Sequence, residues 1–192
     1  MGGGGMGMGG GGLPGGIELT AAGRAAIEGL AGRQVNPRHF CTATNIFADW
    51  QFDRHVNEII QTEDSITLKY GLMDIERTIY MMMDEHPNDV SPSRAGHSIG
   101  RWEGSTLVVD TVGFSEGYLQ AGGRGFAKHS EAMHTVERIT YNAENQSLTR
   151  EYTAEDPMYF TGTYSGRDVV YASDVPFEPY DCTELKDEFI QH

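Results

Sequence analysis

From about residue 56 to residue 171, apolar and polar positions alternate in short runs broken by turn residues. That period of two is the signature of strands with one face on a core and the other in water. Residues 56–62 and 65–72, joined across Glu63-Asp64, read as a hairpin. Residues 75–82 follow as a third strand, with Ile75, Arg77, Ile79 and Met81 on one face. A polar, proline-containing loop at 84–93 precedes a strand at 96–102, and Glu103-Gly104-Ser105 turns the chain into 106–112. After a long glycine-rich loop at 113–128, residues 133–141 and 147–154 form another hairpin, and 159–171 supply the last strand. The spacing predicts a mostly β fold, an antiparallel meander of about eight strands closing into a lipocalin-like barrel. A β-sandwich is the alternative.

The text before residue 56 differs. Residues 1–16 are glycine-rich and low in complexity, and ordering glycine costs backbone entropy, so they read as a disordered leader. Residues 17–192 then form a single domain. Thr20 can cap one short helix through Ala21, Ala22, Ala25, Ala26, Ile27 and Leu30, ending near Gly32. Residues 33–54 read as an irregular connection, whose Phe40, Phe47, Trp50 and Phe52 need burial.

Charge narrows the partners. Fourteen Lys and Arg stand against 28 Asp and Glu, a formal net charge of −14. Such a surface repels phosphate backbones and anionic lipid, which argues against nucleic acid or a membrane as the main partner. No run approaches the roughly 18 apolar residues of a membrane helix, and no signal peptide is visible in this chain. Hydrophobic residues at 39% suffice for a core.

The two cysteines, Cys41 and Cys182, flank the strand region. In a meander barrel the chain ends can meet, so a bridge is geometrically open; two buried thiols are equally open. Without CxxC spacing they do not suggest zinc, and no motif calls for a cofactor or metal.

Candidate chemistry sits among apolar neighbours on strands, where a charge is at an edge, paired, or lining a cavity. Alternation puts His97, Ile99 and Arg101 on one face, with Ser98, Gly100 and Trp102 on the other. Arg77 shares its face with three apolar residues, Asp110 lies within LVVDTV, and Glu137 lies with Met133, Thr135, Ile139 and Tyr141. A buried Arg–Glu or His–Asp pair can serve structure alone. The functional version has His97 as acid/base, Asp110 or Glu137 orienting it, and Arg77 steadying an anion. Tyr70, Arg101, Trp102, His129 and Tyr152 are candidate ligand contacts. His129 and His134 face opposite sides of a strand, which argues against a shared metal.

The segment GHSIGRWEGSTLVVDTVGF (96–114), with HSEAMHTVER (129–138) and EDP (155–157), resembles a bacterial family of uncharacterised function found in sphingomonads and acidobacteria. The matching motif residues are His97, Trp102, Glu103, Asp110, His129, Glu137, Arg138 and Asp156. The resemblance implies an exported protein, periplasmic or secreted, with Cys41 and Cys182 bridged. These readings lead to a barrel that holds a small, largely apolar molecule, aromatic ones included, with cofactor-free acid/base chemistry of lyase, isomerase or dehydratase type. The competing readings are a non-catalytic periplasmic carrier or interaction domain, and a sandwich with no cavity. An enzyme requires a pocket with converging polar groups around His97; a carrier requires an apolar pocket without them.

Overall fold

A computed structural model describes residues 17–28, 36–51, 55–120 and 126–184. The leader, Leu30, Gly32 and Phe52 lie outside these residues. The chain runs β1 (Glu18–Leu19), α1 (Ala21–Ala26), β2 (Glu58–Gln61), β3 (Ser65–Lys69), β4 (Glu76–Tyr80), β5 (His97–Glu103) and β6 (Thr106–Val112). It continues through β7 (Gly117–Gln120), β8 (Phe126–His129), β9 (His134–Asn142), β10 (Ser147–Glu155), β11 (Phe160–Thr161) and β12 (Tyr164–Tyr171). Thr20 caps α1 as expected, its hydroxyl accepting from the Gly23 amide at 3.0 Å. Gly23 lies so close to the Tyr159 carbonyl that a Cβ there would come within 2.0 Å of its oxygen, so the helix docks on the turn before β11 through a glycine.

Eight strands build one curled sheet in the order β12-β10-β9-β6-β5-β4-β3-β2, a half-barrel whose two edges stay unpaired among the described residues. Two expectations need correction. The barrel is not closed, and the sheet is mixed, because β5 lies parallel to β4 with Ser98 opposite Ile79. A parallel neighbour needs a crossover of about a dozen residues or more, and residues 81–96 supply it. The glycine-rich loop after β6 also contains a hairpin, β7–β8, and the long last strand breaks at Gly162, whose φ is +80°.

The concave face is filled by residues 44–50. Asp49 accepts from the amides of Thr44 (2.6 Å) and Asn45 (3.3 Å), while the Asn45 side-chain oxygen accepts from Phe47 and Ala48, both at 2.8 Å. This self-capped turn presses Ile46, Phe47 and Trp50 onto the sheet, and each is at most 2% exposed. Phe40, by contrast, stays 41% exposed. Phe47 stacks on Tyr152 at 4.1 Å, and Tyr152 lies over Gly166 on the neighbouring strand, where a Cβ would strike its ring and hydroxyl. Cys41 and Cys182 form a disulfide with Cα atoms 5.7 Å apart, tying the segment before β2 to the segment after β12.

Candidate functional sites

The sequence-predicted residues separate into three places. Arg77 and Glu137 do project into one interior and pair there, both fully buried. They are joined by two residues that were not foreseen. Arg150 donates to Glu137 at 3.3 Å and to Asp168 at 2.6 Å, and it also caps the carbonyls of Ile46 and Phe47 at 2.9 and 3.1 Å. Its guanidinium lies 5.3–5.7 Å from the ring centres of Phe47, Trp50 and Tyr152. Two cations therefore face two carboxylates. Burial works to raise the Glu137 carboxyl, but the two arginines outweigh it and hold it below its ordinary range. Arg77 also donates to Ser98 and Thr111, both at 2.8 Å, while its Nη1 has no hydrogen-bond partner among the described residues. Such a network pins the 44–50 plug to the sheet and leaves Arg77 and Glu137 no route to a ligand. Tyr70, donating to the Ile46 carbonyl at 3.1 Å, and Tyr152 belong to this core.

His97 does not join them. Alternation along β5 is as expected, but the set that points inward is Ser98 and Gly100, while His97, Ile99 and Arg101 face outward. Ser98 meets the Arg77 guanidinium, and Ile79 and Met81 take the space beside Gly100, so only small side chains fit. A Cβ on Gly100 would already lie 2.7 Å from Ile79. Arg101 is exposed and pairs with Glu103 at 2.9 Å; Trp102 is 51% exposed near the tip of the β5–β6 hairpin. The inward expectation for His97 and Arg101 is thus reversed.

On the convex face His97 meets Asp110 through a residue that the sequence did not mark. His86, carried by the crossover loop, places Nε2 2.9 Å from Asp110 Oδ1 and Nδ1 2.8 Å from His97 Nδ1. His134 Nε2 reaches the other Asp110 oxygen at 2.9 Å. An ionised carboxylate only accepts, so both histidines donate to it. A neutral His86 then accepts on Nδ1, His97 donates from Nδ1, and His97 Nε2 is left as a lone-pair acceptor. Burial and then neighbouring His86 lower the His97 pKa, whereas the Asp110 hydrogen bond raises that of His134. Burial pulls Asp110 upward, but the hydrogen bonds from His134 and His86 win and lower it. Tyr80 stacks on the His97 ring at 5.0 Å. The chain Asp110–His86–His97 has the order of an acid/base relay. Among the described residues no group of three or more His, Cys, Asp or Glu is arranged to hold a metal.

His129 occupies a third place. It is buried at the wall of a polar cleft of about 220 Å³ formed with residues 42–45, Arg94 and the start of β7.

A larger groove, about 640 Å³, opens where the half-barrel fails to close. Ile59 of edge strand β2 lines one side, and Val169, Val170 and Tyr171 of edge strand β12 line the other, with Tyr141, Leu148 and Trp50 between. Tyr141, Leu148 and Val170 lie across from one another in register, on the same concave face as Arg150. The groove is therefore the part of the barrel interior that the 44–50 plug leaves open, with Trp50 at the plug's end forming its floor. Its described lining contains no Asp, Glu, Lys or Arg.

No family model, curated protein or solved structure matches the chain. Among the described residues no helix is long and apolar enough to cross a membrane.

Proposed function

We propose that the chain carries a small, largely apolar molecule in the groove between β2 and β12. One observation supports this above others: an apolar wall of exposed Ile59, Tyr141 and Tyr171 with partly buried Leu148 and Val170 surrounds a volume of about 640 Å³. That volume is within the roughly 300–1,000 Å³ of small-molecule sites, which are mostly apolar. Flat aromatic molecules suit walls bearing the exposed rings of Tyr141 and Tyr171. Among the described residues the groove's lining holds no Asp, Glu, Lys or Arg to converge on a ligand, which favours a carrier over an enzyme. The disulfide suits an oxidising compartment and supports the periplasm or the outside of the cell as the carrier's location.

The neutral probe N-phenyl-1-naphthylamine tests the reading. Its fluorescence is expected to rise on saturable binding, with energy transfer from Trp50. Val170→Trp, which fills the groove from its edge, is expected to weaken binding by about tenfold or more while leaving the fold intact. Absence of saturable binding, or binding indifferent to that substitution, defeats the carrier. Burial of the groove in a dimer, seen by sedimentation together with loss of probe binding, would assign the edges to a second copy instead.

The convex relay supports a second reading, cofactor-free acid/base chemistry with His97 Nε2 as base and Asp110 as its distant orienting group. In that reading His97 acts at the surface, away from the groove.

A further inference from the structure

The polar cleft beside His129 is a separate site, and three of its groups lack the partners that their chemistry demands. Thr44 is 3% exposed, yet its hydroxyl has no hydrogen-bond partner among the described residues; its amide is taken by Asp49. A buried hydroxyl left unpaired is destabilising. Arg94 is exposed at the cleft, donates only to the Ala43 carbonyl at 3.3 Å, and has no carboxylate within salt-bridge distance among the described residues. His129 is 4% exposed, and its Nδ1 lies 3.2 Å from the Ser130 carbonyl. A carbonyl cannot donate, so Nδ1 carries the hydrogen and Nε2 presents a lone pair. Nε2 sits against Gly117, where a Cβ would come within 2.4 Å, so only glycine leaves the ring this position. Ser130 is itself fixed by Asp156, which accepts from its hydroxyl at 2.8 Å. Burial keeps the imidazole neutral by lowering its pKa.

The remaining charges balance. Lys128 pairs with Glu116 at 2.6 Å, and the other Glu116 oxygen accepts from Tyr159. Of the cleft's two cations, Arg94 is the one without a carboxylate among the described residues. A ligand satisfying all three groups must be an anion that accepts from Arg94 and the Thr44 hydroxyl and also donates one hydrogen bond to His129 Nε2. Hydrogen phosphate carries a proton for Nε2, but as a dianion it would set two negative charges against Arg94 alone, beside the Glu116 carboxylate, so it is the competitor that the titration must separate. An ammonium would stand beside Arg94 and Lys128. A carboxylate with a neighbouring hydroxyl meets each demand, and a cleft of about 220 Å³ admits only a small one.

We propose that this cleft binds a small 2-hydroxycarboxylate, its carboxylate on Arg94 and Thr44 and its hydroxyl on His129 Nε2.

Calorimetric titration of the intact protein with glycolate and with lactate is the test, with acetate and inorganic phosphate as controls. Single-site binding of a hydroxy acid is expected, with acetate weaker by about tenfold, the worth of one hydrogen bond to a partner otherwise left unpaired. Arg94→Gln, an exposed change, is expected to weaken binding by a similar factor. Thr44→Val separates binding from folding: removing an unpaired buried hydroxyl should hold or raise the melting temperature while weakening the hydroxy acid. The His129 Nε2 nitrogen resonance should shift on glycolate addition and not on acetate addition. Equal affinities for acetate and glycolate, no saturable binding up to millimolar ligand, or indifference to Arg94→Gln and Thr44→Val each overturn the proposal.

Discussion

The Arg77 guanidinium donates to the Ser98 hydroxyl at 2.8 Å, and this bond fixes which face of β5 looks inward. Strand alternation is blind to that choice. With Ser98 turned toward Arg77, His97 must point outward and find its carboxylate through His86. The buried charges and the histidines are thereby assigned to opposite sides of one sheet, and each side predicts different behaviour.

The buried network answers to charge. Glu137→Gln would leave Arg77 without a carboxylate partner among the described residues and Arg150 with Asp168 alone. A loss of about 3–5 kcal/mol is expected, because uncompensated buried charge costs that much. Urea unfolding of the variant measures it, and a loss within about 0.5 kcal/mol, typical of surface changes, would show that the pairs are not formed.

The histidines should titrate apart. His134, raised by its Asp110 bond, adds stability that is complete below its ordinary value of about 6.5 and fades as pH rises through its folded pKa. His97 and His129, both lowered, act in the opposite sense: their contribution is present above about 6.5 and is lost as pH falls through their folded values. NMR titration should therefore order His134 above both, and Asp110→Asn should return His134 toward the ordinary value. An order with His97 above His134 contradicts the relay.

The disulfide spans 141 residues of sequence. Replacing both Cys41 and Cys182 by serine should lower stability by roughly 2–5 kcal/mol, since a long closed loop restricts the unfolded chain. The double variant is compared with unreduced protein by denaturant unfolding, and free thiols in the unreduced parent would remove the bridge from the account.

Much of this molecule was legible in the chain itself. Period-two runs from residue 56 onward predicted β4, β5, β6, β9 and β10 within a residue or two at most ends, because each strand has one apolar face regardless of its neighbours. Thr20 marked its helix because capping is local. Arg77 and Glu137 could be placed inside together, since each shares a face with apolar residues. Arg150 could have been added by the same rule, as it shares the face of Tyr152 and Ala154.

Tertiary structure decided the rest, and the reason is that non-local contacts carry no local signature. The parallel β4–β5 pairing depends on where a crossover lands, and it brings His86 over β6 and Arg94 to the cleft. Closure of the barrel depends on edges β2 and β12 meeting; they do not, and the apolar groove is what that leaves. The alternation of His97 and Ser98 was fixed by the sequence pattern. Which of them faces the core was settled by tertiary packing, with Ser98 against Arg77 of the adjacent β4 and Gly100 against Ile79, and with that choice the candidate chemistry moved from the barrel interior to its outer surface.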